Sequence, residues 1–586
     1  MIYVENEGAG ASRRKPTEAI VAVAAPAAVM LAIGLWGLDR GGIWRDEGVT
    51  FQVARRSVPQ IWRLLHGVDA VHGLYYLLMH AVLAVHSGEV VLRLPSVCAA
   101  AATAGLVGAL GVRLAGARVG LWAGLLYAVT PLVGHYAQEG RSYALVAAGV
   151  AGATLLLVRA LDGRSWWPYA VVLAATCLLH ELAVLVLCAH AVTLVWTRAP
   201  KRAWWGWARA TGAVGVVLLP LVMLSRAQSG QVEWLPVPGW GSAERLVRGF
   251  TAGPTGVVFW GCLMLVVLGL RVRQVAAVAL PLAVVPPALL MTVSQVRPMY
   301  DDRYVLYALA GVPLLVAAGA DRMVSADAGR PTIRRRLLYT PAAGALAIAL
   351  AFLHALPVYR QDRTPAQRPD DLAAVSALAA RQLRPGDPVV YLPSIGRRSA
   401  LAYPKGFRRA WDIALGEPGP PSGTLYGREV GAGELRRRLA RVHRLWVVTE
   451  PYVLRTRWYP GDPTERTKLT AVEEQFVPAS AQRTRYVLGG VALRLYVRRP
   501  DVLGPTVGPG AAVGLGPTAA SSPTGTPDPA GTPDPGPASY PTDRPGPASA
   551  PGPASAPSPT GKPSTAIAPA LTPPTPAPAS PRPVPW

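Results

Sequence analysis

Three short polar clusters interrupt an otherwise apolar chain, and each contains residue types that could take part in chemistry. The clusters are residues 42–48 with Asp46 and Glu47, residues 136–143 with Glu139, Arg141 and Tyr143, and residues 297–304 with Asp302, Arg303 and Tyr304. A carboxylate can accept a proton from a hydroxyl group, and a guanidinium group can bind a phosphate through paired hydrogen bonds. Any one cluster alone could equally be a set of helix-end residues that reach toward lipid headgroups.

The composition of the chain indicates a multi-span membrane protein. Of its 586 residues, 51% are hydrophobic and only 16% are charged, and the mean hydropathy is +0.28. These values exceed those of an ordinary soluble domain. The formal net charge of +24 does not indicate nucleic acid as a partner, because the Lys and Arg residues are scattered between apolar runs rather than gathered on one polar domain.

A transmembrane helix needs about 20 mainly apolar residues, and this requirement predicts eleven spans, which membrane lipids would surround. The predicted spans are residues 19–38, 90–112, 119–136, 143–160, 167–180, 182–197, 207–224, 255–270, 275–295, 304–320 and 337–357. The segment 73–87 is also apolar, but it is short and contains His80 and His86. We therefore expect it to lie along the membrane interface or dip into it rather than to cross.

The distribution of positive charge supports this count of spans. Alternate connections between the predicted spans carry Lys and Arg, whereas the intervening connections carry the three polar clusters. Because basic loops tend to stay in the cytoplasm, the clusters should all lie on the extracytoplasmic face of the plasma membrane. Counting 73–87 as a twelfth span would reverse this assignment. The first span follows Arg13-Arg14-Lys15 and resembles a retained signal anchor.

Beyond the last predicted span the composition changes twice. Helical segments at 370–383 and 433–442 alternate with strand-like segments at 388–392, 445–449 and 491–497, which predicts a small extracytoplasmic α/β domain. The remaining residues are rich in Pro, Ala, Ser, Thr and Gly and too poor in apolar side chains to fold. The predicted regions are a cytoplasmic N-terminus (1–18), a transmembrane domain (19–357) with a first outer loop (39–89), the α/β domain (358–500) and a disordered, extracytoplasmic tail (501–586).

Carboxylates and arginines on the same face of one membrane favour transfer of a group from a lipid-linked phosphate donor. The clusters also resemble those of glycosyltransferase family 39, which includes protein O-mannosyltransferases and lipid A aminoarabinose transferases. The resemblance rests on Trp-Arg-Asp-Glu-Gly at 44–48, on Tyr-Ala-Gln-Glu-Gly-Arg-Ser-Tyr at 136–143 and on Arg-Tyr at 303–304. It covers about residues 19–357 and is closest to bacterial mannosyltransferase-like members.

That resemblance implies a GT-C fold and an inverting glycosyltransferase. The enzyme would move a sugar, with mannose as one candidate, from a polyprenyl-phosphate donor to an extracytoplasmic protein, lipid or glycan. Asp46 matches the position of the family's general base, and Glu47 could orient the acceptor or bind a cation. Arg141 and Arg303 would stabilise the phosphate leaving group. Pairing of these arginines with the neighbouring carboxylates of Glu139, Asp301 or Asp302 is the alternative.

Other polar residues are assigned to the same site, although their residue types also fit other roles. Tyr143 and Tyr304 could line the pocket or anchor helices at the interface. His72 and Tyr75 match a segment that in relatives often reads His-Pro-Pro followed by an aromatic residue, although here Gly73 replaces a proline.

No metal site or cofactor is predicted. His180-Glu181 with His190 does not have the spacing of a His-Glu-x-x-His site, and the four cysteines have no metal-like spacing either. Some GT-C enzymes require a divalent cation, but the family that this chain resembles generally does not.

Two other functions stay open at the level of sequence. A polytopic transporter or flippase should show internal repeats and ionisable residues near the middle of the membrane, whereas here no clear repeat is found and the charges cluster at the ends of spans. A non-catalytic scaffold for envelope assembly would tolerate neutral replacement of Asp46.

Overall fold

The computed structural model describes residues 16–228, 235–251, 256–326, 333–364, 370–450, 453, 460, 462–483 and 491–500. Most of the predicted N-terminal segment and the whole of the predicted tail lie outside the described residues. The helices up to residue 362 are α1 (Pro16–Leu35), α2 (Arg45–Ala54), α3 (Val58–Leu65), α4 (Gly73–Val85), α5 (Glu89–Ala115), α6 (Ala117–Ala128), α7 (Pro131–Ala137), α8 (Tyr143–Leu161), α9 (Trp167–Leu179), α10 (Val186–Trp196), α11 (Lys201–Ala227), α12 (Trp240–Phe250), α13 (Gly256–Gly269), α14 (Arg273–Val293), α15 (Gly311–Ala326) and α16 (Ile333–Asp362).

Several of these helices confirm a membrane protein with many spans. Among the described residues, seven helical stretches are long and apolar enough to cross a bilayer. They include α1, α5, α8, α11 and α14, each of which coincides with a predicted span. The predicted spans 167–180, 182–197 and 255–270 correspond to shorter apolar helices, so the total of eleven stays a prediction.

The predicted span 119–136 is a bent pair of helices rather than one straight helix. Helices α6 and α7 meet at an angle of 63°, and Pro131 is the first residue of α7. A proline disfavours helical geometry at the residue before it and supplies no backbone N–H, so the helix stops at Ala128 and restarts after Thr130. The bend matters for the site because α7 leads into the second polar cluster.

The end of α1 is fixed by two polar side chains from distant segments. Arg363, which follows α16, donates hydrogen bonds from Nε to the carbonyl of Trp36 (2.8 Å) and from Nη2 to that of Ile33 (3.0 Å). Gln138 donates to the carbonyls of Gly34 and Trp36, both at 2.8 Å. These donors satisfy carbonyls that the end of a helix leaves unpaired, and they hold the start of the loop that leads to Asp46.

The C-terminal part of the described chain is a small α/β domain, as predicted. Its elements are α17 (Leu372–Gln382), β1 (Pro388–Leu392), α18 (Arg398–Ala402), β2 (Trp411–Asp412), β3 (Leu415–Glu417), α19 (Gly419–Ser422), β4 (Arg428–Glu429), α20 (Ala432–Ala440), β5 (Arg444–Thr449), α21 (Pro463–Gln475), β6 (Phe476–Arg483) and β7 (Ala492–Arg498). The predicted strands 388–392, 445–449 and 491–497 and the predicted helices 370–383 and 433–442 are all confirmed within two residues at each end.

The main sheet has five strands in the order β2-β1-β5-β7-β6. Strand β1 is parallel to both β2 and β5, whereas β7 is antiparallel to β5 and β6. Strand β1 alternates its side chains, as a strand between two apolar layers must. Val390 and Leu392 pack with Leu435 of α20 on one face, and Val389 packs with Val375 of α17 on the other.

The carboxyl ends of β1 and β5 lie side by side, because Leu392 is paired with Thr449. Loops that follow parallel strands meet at this edge of the sheet. In open α/β sheets this edge is the usual place for ligands.

The start of the C-terminal α/β domain packs directly against the segment that holds Asp46. The backbone N–H of Leu372 donates a 3.0 Å hydrogen bond to the carbonyl of Ile43. A methyl group at Gly48 would lie 2.8 Å from Cδ1 of Leu372, and one at Gly42 would collide with Asp371. The two glycines on either side of Asp46 therefore allow residues 371–372 to approach closely.

Candidate active site

The carboxylates of Asp46 and Glu47 lie in the first turn of α2, where the partial positive charge of a helix N-terminus favours them. Neighbouring residues on a helix point in different directions. Glu47 is therefore completely buried, whereas the Asp46 side chain keeps 26% of its surface exposed. The two carboxylates that are adjacent in sequence occupy different environments.

Glu47 holds two neighbouring segments together. Its carboxylate accepts two hydrogen bonds of 2.8 Å from Arg93 of α5, one from Nε and one from Nη2. Glu47 Oε1 also accepts a 2.8 Å bond from the backbone N–H of Gly140 in the second polar cluster. Arg93 in turn donates to the carbonyl of Gly42 at 3.0 Å. These partners suit a residue that positions the site rather than one that touches a substrate.

We expect Glu47→Gln to lower the stability of the protein along with any activity. The change leaves Arg93 buried without a charged partner, which typically costs about 3–5 kcal/mol of unfolding free energy. The measurement is thermal unfolding of the purified variant in detergent, with Asp46→Asn as the adjacent control. Equal melting temperatures for Glu47→Gln and the wild type would contradict the structural role of Glu47.

The third polar cluster reaches Asp46 through Arg303. Nη1 of Arg303 lies 2.8 Å from Oδ2 of Asp46, and its Nε lies 3.3 Å from Oδ2 of Asp301. The guanidinium carbon also lies 5.6 Å from the ring centres of Tyr143 and Tyr304, a distance that permits cation–π attraction. The predicted base and a predicted phosphate ligand are thus in direct contact, although 257 residues separate them.

The second polar cluster contributes Arg141, which contacts the backbone of Asp46. Its Nη2 is 2.7 Å from Nε2 of His72, and its Nη1 is 3.4 Å from both the backbone oxygen of Asp46 and Oγ1 of Thr50. Only 7% of Arg141 is exposed, and its Nε is buried without a hydrogen-bond partner among the described residues. Within the described part of the chain, no carboxylate forms an ion pair with this guanidinium group. We refer to Asp46, His72, Arg141 and Arg303 as the Asp46 cluster.

His72 is a neutral partner of Arg141. Burial lowers the pKa of this imidazole well below its usual value, and the nearby charge of Arg141 lowers the pKa further. The neutral ring can therefore accept a hydrogen bond at Nε2 from Arg141 while Nδ1 carries the proton. An uncharged acceptor orients the guanidinium group without neutralising it, so Arg141 stays available to an anion.

The other predicted site residues surround the Asp46 cluster. Tyr75 is fully buried. Tyr143 and Tyr304 flank Arg303, as described above. Asp302 accepts a 2.8 Å hydrogen bond from the hydroxyl of Tyr300. The carboxylate of Glu139 is buried, with no partner for Oε1 in the described part of the chain.

The alternative to phosphate binding was an ion pair of Arg141 or Arg303 with a neighbouring carboxylate, and the structure shows only part of this pairing. Arg303 pairs with Asp301 as well as with Asp46. Within the ranges that the structure describes, neither Glu139 nor Asp302 forms an ion pair with Arg141 or Arg303.

Glu139 is expected to make the stability of the protein depend on pH. Burial raises the pKa of this carboxyl from 4.5 to about 7. Because the folded state keeps the proton to a higher pH than the unfolded state, the stabilisation is complete below about pH 4.5 and is lost as the pH rises through 7. The loss is on the order of 3 kcal/mol.

Glu139→Gln should therefore remove this loss of stability at high pH. Melting temperatures of the wild type and the variant should differ more at pH 8 than at pH 5, with the variant the more stable protein at pH 8. Glu244→Gln, which changes an exposed carboxylate on α12, is the matched control. Parallel curves for the wild type and Glu139→Gln would show that Glu139 is ionised in both states.

Some residues near the Asp46 cluster are not predicted from the sequence. Arg93 lies within a predicted span, and only its ion pair with Glu47 reveals its role. Asp69 accepts a 2.7 Å hydrogen bond from the hydroxyl of Tyr76, and burial raises the pKa of its carboxyl, with opposing and supporting effects from Arg141 and Asp46. Its backbone has a left-handed conformation with φ of 60°. No sequence pattern marks an isolated Asp in such a turn as part of a site.

The polar side chains of the candidate site do not form an evident metal centre. Among the described residues, no group of three or more His, Cys, Asp or Glu side chains is placed to hold a metal ion. The absence of a cofactor stays a prediction of the sequence.

Comparisons with known proteins give a fold and a partial family match. A sequence model of the family described as "Dolichyl-phosphate-mannose-protein mannosyltransferase" matches residues 73–225, about a quarter of the chain. This region contains Arg141 but neither Asp46 nor Arg303. No protein of curated function matches the chain in sequence.

Solved structures resemble the chain over most of its length. The apo structure of ArnT from Cupriavidus metallidurans has a TM-score of 0.52 at 14% identity, with 84% of this chain and 100% of ArnT covered. The structure of the same ArnT bound to undecaprenyl phosphate has a TM-score of 0.47 at 13% identity, with 82% and 99% covered. AglB from Archaeoglobus fulgidus, in complex with an inhibitory peptide and a dolichol-phosphate, has a TM-score of 0.47 at 10% identity, with 83% and 75% covered. The likeness to apo ArnT confirms the predicted fold.

Proposed function

Because this chain has the GT-C glycosyltransferase fold, we propose that it transfers a sugar from a polyprenyl-phosphate donor to a hydroxyl group on the extracytoplasmic side of the membrane. In this proposal Asp46 is the general base, and Arg141 and Arg303 bind the phosphate. The observation that carries the proposal is the meeting of a partly exposed carboxylate with two guanidinium groups, one of which has no carboxylate partner among the described residues.

The donor side of the site is defined by the two arginines. A buried guanidinium group that forms no ion pair with a carboxylate is costly, so Arg141, which forms none among the described residues, is a favourable site for an anion. A phosphate bound there could also reach Arg303, because both arginines contact the same residue, Asp46. Undecaprenyl phosphate is present in one structure of ArnT, and its phosphate is the chemical group that this pair of arginines would recognise.

The reaction requires one bond to form and one to break at the anomeric carbon. The acceptor oxygen attacks that carbon as Asp46 takes the proton of the hydroxyl group, and the bond between the anomeric carbon and the phosphate oxygen breaks. Attack from the face opposite the phosphate inverts the configuration. The polyprenyl phosphate leaves with the bonding electrons, and Arg141 and Arg303 stabilise the charge that it gains. Such stabilisation grows as the bond breaks and therefore lowers the barrier.

The ion pair between Asp46 and Arg303 also has a place in this proposal. In the absence of donor, the Asp46 carboxylate is held in an ion pair with Arg303. An incoming phosphate competes for Arg303, so donor binding would release the Asp46 carboxylate toward the acceptor. Glu47 would keep α2 in place during this exchange, since it is held by Arg93 and by the backbone N–H of Gly140.

The sugar and the acceptor are proposed only as classes. The sugar is a hexose or related sugar, with mannose as the first candidate because of the family match to residues 73–225. The acceptor is a protein, lipid or glycan outside the plasma membrane.

The proposal is tested by comparing the cell envelope with and without the gene. Mass spectrometry of glycoproteins, glycolipids and polysaccharides should show one product that loses the mass of one sugar when the gene is deleted. Purified protein should also bind undecaprenyl phosphate in detergent. An unchanged set of envelope glycans, together with no binding of undecaprenyl phosphate, would contradict the proposed function.

A further inference from the structure

A basic groove lies at the end of α8 that is farthest from the Asp46 cluster. Helix α8 begins at Tyr143, beside Arg303, and ends at Leu161 after 19 residues. At 1.5 Å per residue this helix is about 28 Å long, close to the hydrocarbon thickness of a bilayer. The groove and the Asp46 cluster therefore lie near opposite surfaces of the membrane. The charge distribution in the sequence predicts that the groove faces the cytoplasm.

The groove is formed where the ends of three helices meet. Its volume is about 640 Å³, a size usual for small-molecule pockets. Three arginines line it, namely Arg113 of α5, Arg159 of α8 and Arg164 of the loop that leads to α9. The other lining residues are Leu156, Asp162, Ser165 and Pro168. The groove thus combines three guanidinium groups with two apolar side chains.

The backbone at the end of α8 fixes two of these arginines on the same groove. The N–H of Arg164 donates a 3.1 Å hydrogen bond to the carbonyl of Arg159, and the N–H of Gly163 donates a 3.0 Å bond to that of Ala160. These two bonds end the helix in a Schellman motif, for which Gly163 supplies the left-handed backbone with φ of 92°. Arg164 is thereby turned back toward Arg159.

One of the three arginines is paired with a carboxylate. Arg113 forms an ion pair with Asp162. Arg159 and Arg164 are exposed, and within the part of the chain that the structure describes neither guanidinium group forms an ion pair or a hydrogen bond. The partial negative charge at a helix C-terminus favours a basic residue in the last turn, which accounts for Arg113 and Arg159 separately. It does not account for Arg164, which lies beyond the end of α8.

The groove adjoins a face of α9 that is both apolar and exposed. Pro168 lines the groove at the start of α9, and Val171, which lies three residues further along the same face, is 62% exposed. Trp167 is 72% exposed, and tryptophan is typical of the level of the lipid headgroups. A molecule that places a phosphate in the groove would therefore extend its acyl chains along α9.

We propose that this groove binds the headgroup of an anionic phospholipid, with the lipid phosphate between Arg159 and Arg164. Guanidinium groups bind phosphate strongly, and basic pockets between transmembrane helices on the cytoplasmic side suit acidic lipid headgroups. Leu156 and Pro168 would contact the glycerol and the first acyl carbons, which a free phosphate ion lacks. The site is separate from the Asp46 cluster and does not rest on the proposed function.

The experiment measures binding of dioleoyl phosphatidylglycerol to the full-length protein purified in detergent. Dioleoyl phosphatidylcholine, which has no net charge, is the comparison lipid, and native mass spectrometry counts the lipid molecules that the protein retains. The wild type should retain phosphatidylglycerol in preference to phosphatidylcholine. Arg159→Gln and Arg164→Gln should each raise the Kd for phosphatidylglycerol about fivefold, and the double variant about 25-fold, the usual effect of an arginine beside an acidic lipid.

Arg271→Gln combined with Arg273→Gln is the matched control. Both arginines are exposed and flank Val272, which lines a second groove together with Ala115 at the end of α5. They therefore lie at the same membrane surface as Arg113, and the control loses the same number of positive charges. It should keep the wild-type Kd. An equal rise of the Kd in the control and in the double variant would overturn the site, because the effect would then be one of surface charge alone.

A charge-preserving variant and a free anion complete the test. Arg159→Lys combined with Arg164→Lys keeps both charges and should recover part of the binding, while melting temperatures show whether each variant folds. Inorganic phosphate should displace phosphatidylglycerol only at much higher concentration than a competing phosphatidylglycerol does. Displacement at equal concentration would overturn the assignment to a lipid. A wild type that retains the two lipids equally would overturn the proposal whatever the variants show.

Discussion

Asp46→Asn is expected to abolish sugar transfer while the protein folds normally. Asparagine has nearly the same size as aspartate but cannot take the proton of the acceptor hydroxyl group. General base catalysis typically contributes a factor of about 100 to 10,000, so the rate should fall by at least about 100-fold. The measurement is gene-dependent glycan in cells, followed by transfer by the purified variant.

Asp39→Asn is the matched control for this prediction. Asp39 lies in the loop between α1 and α2 and is exposed, so its replacement should change neither turnover nor stability. Asp46→Asn should also keep or increase affinity for undecaprenyl phosphate, because Arg303 loses its competing carboxylate partner. Retained turnover in Asp46→Asn would remove Asp46 from the role of base.

Arg141→Ala is expected to weaken binding of the donor phosphate strongly. Hydrogen bonds to a charged group contribute about 1.5–3 kcal/mol, so the Kd for undecaprenyl phosphate should rise about 10- to 100-fold. Arg141→Lys should recover only part of this loss, since a lysine retains the charge but not the planar, two-pronged geometry. Binding is measured with purified protein in detergent.

Arg303→Ala should weaken binding in the same assay and should additionally leave Asp46 without its ion pair. Arg55→Ala, at an exposed position just after α2, controls for the loss of one positive charge. Unchanged affinity and rate in both Arg141→Ala and Arg303→Ala would leave these residues as structural groups and would contradict their contact with phosphate.

Much of the fold follows from patterns that are local in the sequence. Long apolar runs predict α1, α5, α8 and α14, because a bilayer requires continuous hydrophobic length. Alternating apolar residues predict β1 and β5. The short strands β2, β3 and β4 were not predicted, because two or three residues carry no period and are defined by their neighbours. The bend between α6 and α7 could have been inferred from Pro131.

The sequence predicts individual residues of the site but not the contacts between them. Residue types and positions at span ends select Asp46, Arg141 and Arg303, and the structure brings these three together. The sequence does not separate the environments of Asp46 and Glu47, since that depends on Arg93 in a distant helix. It also does not reveal Asp69, whose place beside the site depends on its left-handed turn and on its hydrogen bond from Tyr76.

The close fit of residues 371–372 between Gly42 and Gly48 limits how chains of this kind can be recombined. A chimaera joined near residue 358 would take its two glycines from one parent and Asp371 and Leu372 from the other. Larger residues at either glycine would then displace the helix that bears Asp46, even though each half came from a working protein. Exchange of the C-terminal domain among related chains should therefore succeed only when residues 42–48 are exchanged with it.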